Sequence, residues 1–193
     1  MKRPILLFAA LAMILTCAME TYAQEAPAIP ASFYDKELIA DILGNENCTG
    51  LRVYPTLDLK KAQLSLMIIG VDESGAELYN WTNPKLKYQL YEGITDGKAD
   101  IEPLSANNAR KLCQAYSTAH VAFNSVIAKD KISDCSGDCT GYSIRLTTKG
   151  TNFNFEIVPA KIVNNAVEII GTPVAGDPCP TFCGDSGNYL CTP

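Results

Sequence analysis

Residues 62–75 read AQLSLMIIGVDESG. Leu64, Leu66 and Ile68 occupy alternate positions, the run then stays apolar to Val71, and Asp-Glu-Ser-Gly supplies a turn. A period of two marks a strand with one covered face, because successive side chains point to opposite sides of a pleated chain. GLRVYPTLD (50–58) just upstream reads as a strand of the same kind, so the two form consecutive strands. Before them, YDKELIADIL (34–43) sets Leu38, Ile39, Ile42 and Leu43 at helical spacing, and Gly44 can end that helix. The unit is a helix followed by two strands.

The pattern recurs downstream. SANNARKLCQAYSTAHVAFNSVIA (105–128) reads as a helix with Ser105 as its N-cap and with Ala109, Leu112, Cys113 and Tyr116 on one face. GYSIRLTT (141–148) and TNFNFEIVPAK (151–161) follow as strands around a Lys-Gly turn, and AVEIIGTPV (166–174) reads as a last strand. LIADILGNENCTGLRVY (38–54) and VIAKDKISDCSGDCTGYSIRL (126–146) both end a helix-like stretch in Cys-Thr-Gly and enter a β-rich run. The expected fold class is therefore α+β: two helix–β-hairpin units, over 34–95 and 104–172, packed as one domain spanning 34–176. An internal duplication is one source of such a pattern. Residues 24–33 read as a flexible lead-in and 177–193 as an irregular Cys-rich tail.

The helix, CTGLRVY (48–54), IIGVDESG (68–75) and, more loosely, GDPCPTFCG (176–184) together resemble a group of secreted bacterial proteins of unknown function. The resemblance implies export and a related fold, and it carries no activity, ligand or catalytic residue with it.

Export is also written in the N-terminus. MKRPILLFAALAMILTCAMETYAQ (1–24) begins with Lys2 and Arg3, continues through an apolar run too short to span a bilayer comfortably, and offers Ala23 as a cleavage point. That is the layout of a secretory signal peptide over 1–23, not of a membrane span. Cys17 as a lipid anchor is disfavoured, because Thr16 stands where lipoprotein signals want a small residue. The expected location is secreted or periplasmic.

The 193-residue chain has a net charge of −5, and loss of Lys2, Arg3 and Glu20 makes it more negative. Without a basic cluster, nucleic acid is a poor partner. The eight cysteines become seven without Cys17: Cys48, Cys113, Cys135, Cys139, Cys179, Cys183 and Cys191. In an oxidising compartment all seven are disulfide candidates, with one left over and the connectivity open. Cys135/Cys139 and Cys179/Cys183 are both C-x3-C pairs and could instead share a zinc ion. Oxidation competes with that, and Asp134 and Asp138 are poor company for a soft metal. No metal or other cofactor is expected.

CGDSGNYLC (183–191) and STAHVAF (117–123) echo the serine and histidine motifs of chymotrypsin-like proteases, with Asp130, Asp134 or Asp138 between them. Only seven residues follow Ser186, too few for pocket walls, and His120 lies in a helical stretch. The protease reading fails on that context. Carboxylate pairs such as Asp72/Glu73 and Asp96/Asp100 read as solvated surface, and neither DCSGDC nor YEGITDGKAD meets a full calcium loop. The sequons at Asn47 and Asn80 matter only in a glycosylating host. Trp81 with Tyr79, Tyr88 and Tyr91 could make an aromatic ligand surface, the competing reading being a half-buried sheet face. The expectation is a non-catalytic binding or structural protein of unknown partner, with an exported hydrolase or thiol-dependent enzyme as the alternative.

Overall fold

A computed structural model describes residues 27–79, 83–150 and 152–178. The strands are β1 (Ser32–Asp35), β2 (Gly50–Asp58), β3 (Gln63–Val71), β4 (Glu77–Leu78), β5 (Tyr88–Thr95), β6 (Lys98–Leu104), β7 (Ser125–Ala128), β8 (Gly141–Lys149), β9 (Asn152–Val163), β10 (Ala166–Ile169), β11 (Val174–Ala175) and β12 (Asp177–Pro178). The helices are α1 (Lys36–Leu43) and α2 (Ala106–Ala119). All pairings are antiparallel, in two sheets. One runs β1-β8-β9-β10, with β11 also on β9; the other runs β12-β7-β2-β3-β5-β6, with β4 on β3.

Three layers result. Phe33, Ile144, Phe155 and Ile157 of the first sheet meet Leu51, Val53, Leu66, Ile68 and Ile127 of the second in one core. On the far side of the second sheet, Tyr54, Met67, Ile69, Tyr88, Leu90 and Leu104 pack against Ala106, Ala109, Leu112 and Cys113 of α2. This explains the mixed pattern of 62–75. Leu66 and Ile68 face the sheet–sheet core while Met67 and Ile69 face the helix, so a strand covered on both sides reads as a continuous apolar run.

Local chemistry sets several boundaries. The Ser105 side chain accepts a hydrogen bond from the Asn108 N–H at 3.4 Å and starts α2 as the sequence predicts. Replacing it by alanine is expected to cost about 1 kcal/mol, read as a lowered denaturant midpoint. Asp96–Gly97 and Asn164–Asn165 have positive φ at both residues of their turns, the backbone that tight hairpins demand.

The α+β expectation is overturned: the chain is mostly β, in two large antiparallel sheets, and does not contain two helix–hairpin units. VIAKDK, the second supposed helix end, is strand β7 followed by a single 3-10 turn, because Val126 and Ile127 are claimed by pairing with Arg52 and Leu51. The two hairpins after Cys-Thr-Gly do exist, as β2–β3 and β8–β9, but they lie in different sheets. Nor are 34–95 and 104–172 separable halves. β1 flanks the later hairpin, Ser32 opposite Ile144, and β7 flanks the earlier one, Ser125 opposite Val53. The stretch read as a lead-in over 24–33 supplies part of β1 and the buried side chains of Ile29 and Phe33. The signal peptide, Cys17 and the tail beyond Pro178 lie outside the described residues.

The two Cys-Thr-Gly corners are built alike. Thr49 N–H donates to Val71 O at 2.8 Å and Thr140 N–H to Ala160 O at 3.1 Å. Each threonine carbonyl accepts from the residue just past the flanking strand, Lys129 N at 2.8 Å and Lys36 N at 3.1 Å. Cys135 and Cys139 form a disulfide, whereas Cys48 and Cys113 are free. So small a ring restricts the unfolded chain little: serine at both positions is expected to cost about 2 kcal/mol, measurable by urea titration.

Candidate binding groove

Helix α2 crosses the outer face of the second sheet. Its small Ala106 and Ala109 let it approach the sheet closely. Beyond them, Asn108, Lys111, Leu112 and Ala115 form one wall of a groove of about 430 Å³. The other walls are Leu57–Lys60 at the β2–β3 turn, Leu90 and Glu92 on β5, and Glu102 and Leu104 on β6. The volume falls in the range of small-ligand sites, and the lining is divided between leucines with Ala115 and an equal number of polar or charged side chains. Leu59, at the turn, is 73% exposed.

The turn itself is held by Asp58, whose Oδ1 accepts from the N–H groups of Lys60 and Lys61 at 2.8 and 3.2 Å. Lys61 pairs with Glu92 across the strands. The hydrogen bond that Lys61 donates to the Glu92 carboxylate, opposed by slight desolvation, holds the Lys61 ammonium above its ordinary range. The rim thus carries charges of both signs around a leucine floor.

Polar groups also gather near the other end of β2, enclosed rather than open. Glu77 accepts from Tyr54 Oη at Oε1 and from Tyr88 Oη at Oε2, the latter at 2.5 Å. Arg52 lies 3.7 Å from Glu77 Oε1, and its Nη2 donates to Gly75 O at 2.9 Å. Burial first, and the Glu77 charge second, push both the Tyr88 phenol and the Cys113 thiol far above their ordinary ranges. Both tyrosines therefore serve as hydrogen-bond donors, and both carboxylate oxygens are engaged. Such a cluster orders the sheet; it is not poised to exchange protons with a substrate.

The proposed aromatic surface is corrected here. Tyr88 is fully buried under α2 and Tyr91 is 8% exposed in the sheet–sheet core, because positions three apart on a strand face opposite ways. Tyr79 stacks on Tyr88 with ring centroids 6.2 Å apart and remains partly exposed, and Trp81 lies outside the described residues. His120 caps the C-terminal end of α2, its ring 4.9 Å from that of Tyr116. Asp138, one of the carboxylates considered with it, pairs with Lys161 at 3.1 Å, while Ser186 lies outside the described residues.

No protein-family model, curated protein or solved structure matches this chain.

The sulfur of Cys139 is bonded to that of Cys135, so neither is a thiolate for zinc; Cys179, Cys183 and Cys191 lie outside the described residues. Cys48 and Cys113, free in the structure, are separated by the second sheet, one in each core. Among the described residues no group of three or more His, Cys, Asp or Glu side chains could hold a metal ion. Asp72 Oδ1 is filled locally by Ser74 N, Ser74 Oγ and Ala76 N. These hydrogen bonds, led by that of Ser74, hold its carboxyl below the usual range. No helix among the described residues is long and apolar enough to cross a membrane.

The groove residues were missed by sequence reasoning, since Leu57, Leu59, Leu90 and Leu104 come from separate strands and turns and have no common spacing. Only Leu112 was singled out, as part of the face of α2. The exposed leucine in a charged turn, DLKK after Leu57, was the one available signal.

Proposed function

We infer that the chain is an exported, non-catalytic protein that acts by binding outside the cytoplasm, with the groove beneath α2 as its binding surface. The observation that carries this reading is the leucine-lined groove with Leu59 standing exposed at its mouth. The signal-peptide pattern of residues 1–23, the resemblance to secreted bacterial proteins and the disulfide support the extracytoplasmic location. The acidic balance argues against nucleic acid as the partner. The mixed-sign rim suits a ligand that offers aliphatic groups to the floor and polar groups to the edges.

The test is a titration of the purified protein with a fluorescent fatty acid and with leucine-containing peptides. Leu59→Asp is expected to weaken binding about tenfold. At so exposed a position it should move stability by no more than about 0.5 kcal/mol. Equal binding by wild type and variant would remove the groove from the reading. Turnover of peptide, ester or glycoside substrates, abolished by His120→Ala, would replace it with the hydrolase alternative.

A further inference from the structure

We propose that Cys135–Cys139 is an exchangeable disulfide, opened and reformed in the native fold by external thiols, and not a staple on which the fold depends. The molecule contains its own control. At the equivalent corner of the other hairpin, Cys48 has no sulfur partner, yet its threonine and glycine make the same backbone connections. The Cys48 thiol donates to Gly50 O at 3.3 Å, and the Cys139 sulfur lies 3.1 Å from Gly141 O. Cys48 thus displays the geometry that a reduced Cys139 would adopt. The corner at Cys139 is held without the sulfur bond, by Thr140 N–H to Ala160 O, Lys36 N–H to Thr140 O, and Tyr142 Oη to Ser133 O at 3.0 Å.

The two sulfurs are also unequal. Cys139 is 2% exposed, whereas Cys135 is only half-buried and sits in a loop whose Ser133, Asp134, Ser136, Gly137 and Asp138 are all exposed. Access selects the sulfur that is attacked. An incoming thiolate forms a bond to Cys135 Sγ, the Cys135–Cys139 bond breaks, and Cys139 leaves as a thiolate. Lys36 Nζ donates to the Cys139 carbonyl at 3.5 Å and helps hold the backbone that carries the leaving sulfur. Cys139 then takes a proton from water and donates it toward Gly141 O. The second thiol of the attacking dithiol displaces Cys135 from the mixed disulfide, so the dithiol becomes a disulfide as the protein gains two thiols. In reverse, a disulfide of the same class takes the two electrons back and becomes a dithiol as the Cys135–Cys139 bond reforms. The reactant class is a small dithiol or the thiol pair of an exported protein.

The test treats the native full chain with dithiothreitol, quenches with a maleimide and maps the labelled peptides. Cys135 and Cys139 should both be labelled at completion, and any trapped intermediate should carry dithiothreitol on Cys135 and maleimide on Cys139, while Cys48 stays unlabelled and the near-ultraviolet circular dichroism is unchanged. In single variants, Cys135 of Cys139→Ser should react with glutathione disulfide at least about tenfold faster than Cys139 of Cys135→Ser. Survival of the bond until denaturant is added, or a trapped dithiothreitol adduct on Cys139, overturns the proposal. If either variant fails to fold, the wild-type labelling decides alone.

Discussion

Glu77→Ala is expected to destabilise the protein by about 3–5 kcal/mol, the cost of stranding a buried charge whose partner is removed. That is a large share of the ~5–15 kcal/mol that holds a typical domain folded. Arg52 would keep its bond to Gly75 O but lose the carboxylate beside it. The hydroxyls of Tyr54 and Tyr88, both under α2, would each lose an acceptor. Glu77→Gln should cost less, since it retains one carbonyl oxygen and the side-chain volume. Equilibrium urea unfolding of the two variants measures the difference. A loss below about 1 kcal/mol for the alanine variant would mean that water replaces the carboxylate and that the cluster is not dry.

Gly141→Ala is the second large effect, at about 3 kcal/mol. A Cβ at this position would run into Tyr34 O, and would lie 2.5 and 2.7 Å from Phe33 ring carbons. Neither neighbour can yield easily: Asp35 is paired with Gly141 itself, and both Phe33 and Tyr34 are fully buried. The glycine of the other corner answers to the same constraint, because a Cβ on Gly50 would lie 2.7 Å from Ile127 O. Gly50→Ala should therefore also destabilise, by a smaller amount since it meets no aromatic ring. Thermal unfolding of both variants reads the order directly. The requirement at these glycines is room for a neighbouring strand.

What the sequence made legible follows from how each element is covered. β2, β3, β8 and β9 alternate or run apolar because long pairings commit each of their faces, and their extents were readable almost to the residue. The start of α2 was legible from Ser105 because a cap is a local interaction. β1 and β7, four residues each, were not legible: Ser32 and Phe33 fell in the lead-in, Tyr34, Asp35 and β7 were absorbed into neighbouring helices, and only distant partners make them strands. β6 was hidden by its function as a sheet edge. Lys98, Asp100 and Glu102 alternate outward and keep the edge from pairing with another chain, so a strand looked like an acidic loop. The groove and the Glu77 cluster were illegible for a further reason. Both are made of residues that only sheet register brings together, as when Tyr54 and Tyr88, on different strands, meet around the Glu77 carboxylate.

The crossing of β1 to the later hairpin and of β7 to the earlier one has a consequence for how the molecule comes into being. A nascent chain emerges amino end first, and Ser32–Asp35 must then wait, unpartnered, until Gly141–Ile144 has followed it. Assembly is dominated by distant pairing, which makes for slow acquisition of the native state and prolonged exposure of sticky segments. Fragments cut between Leu104 and Ala106 should each remain unstructured alone, yet recover the native spectrum when mixed, since each carries the strand its counterpart lacks.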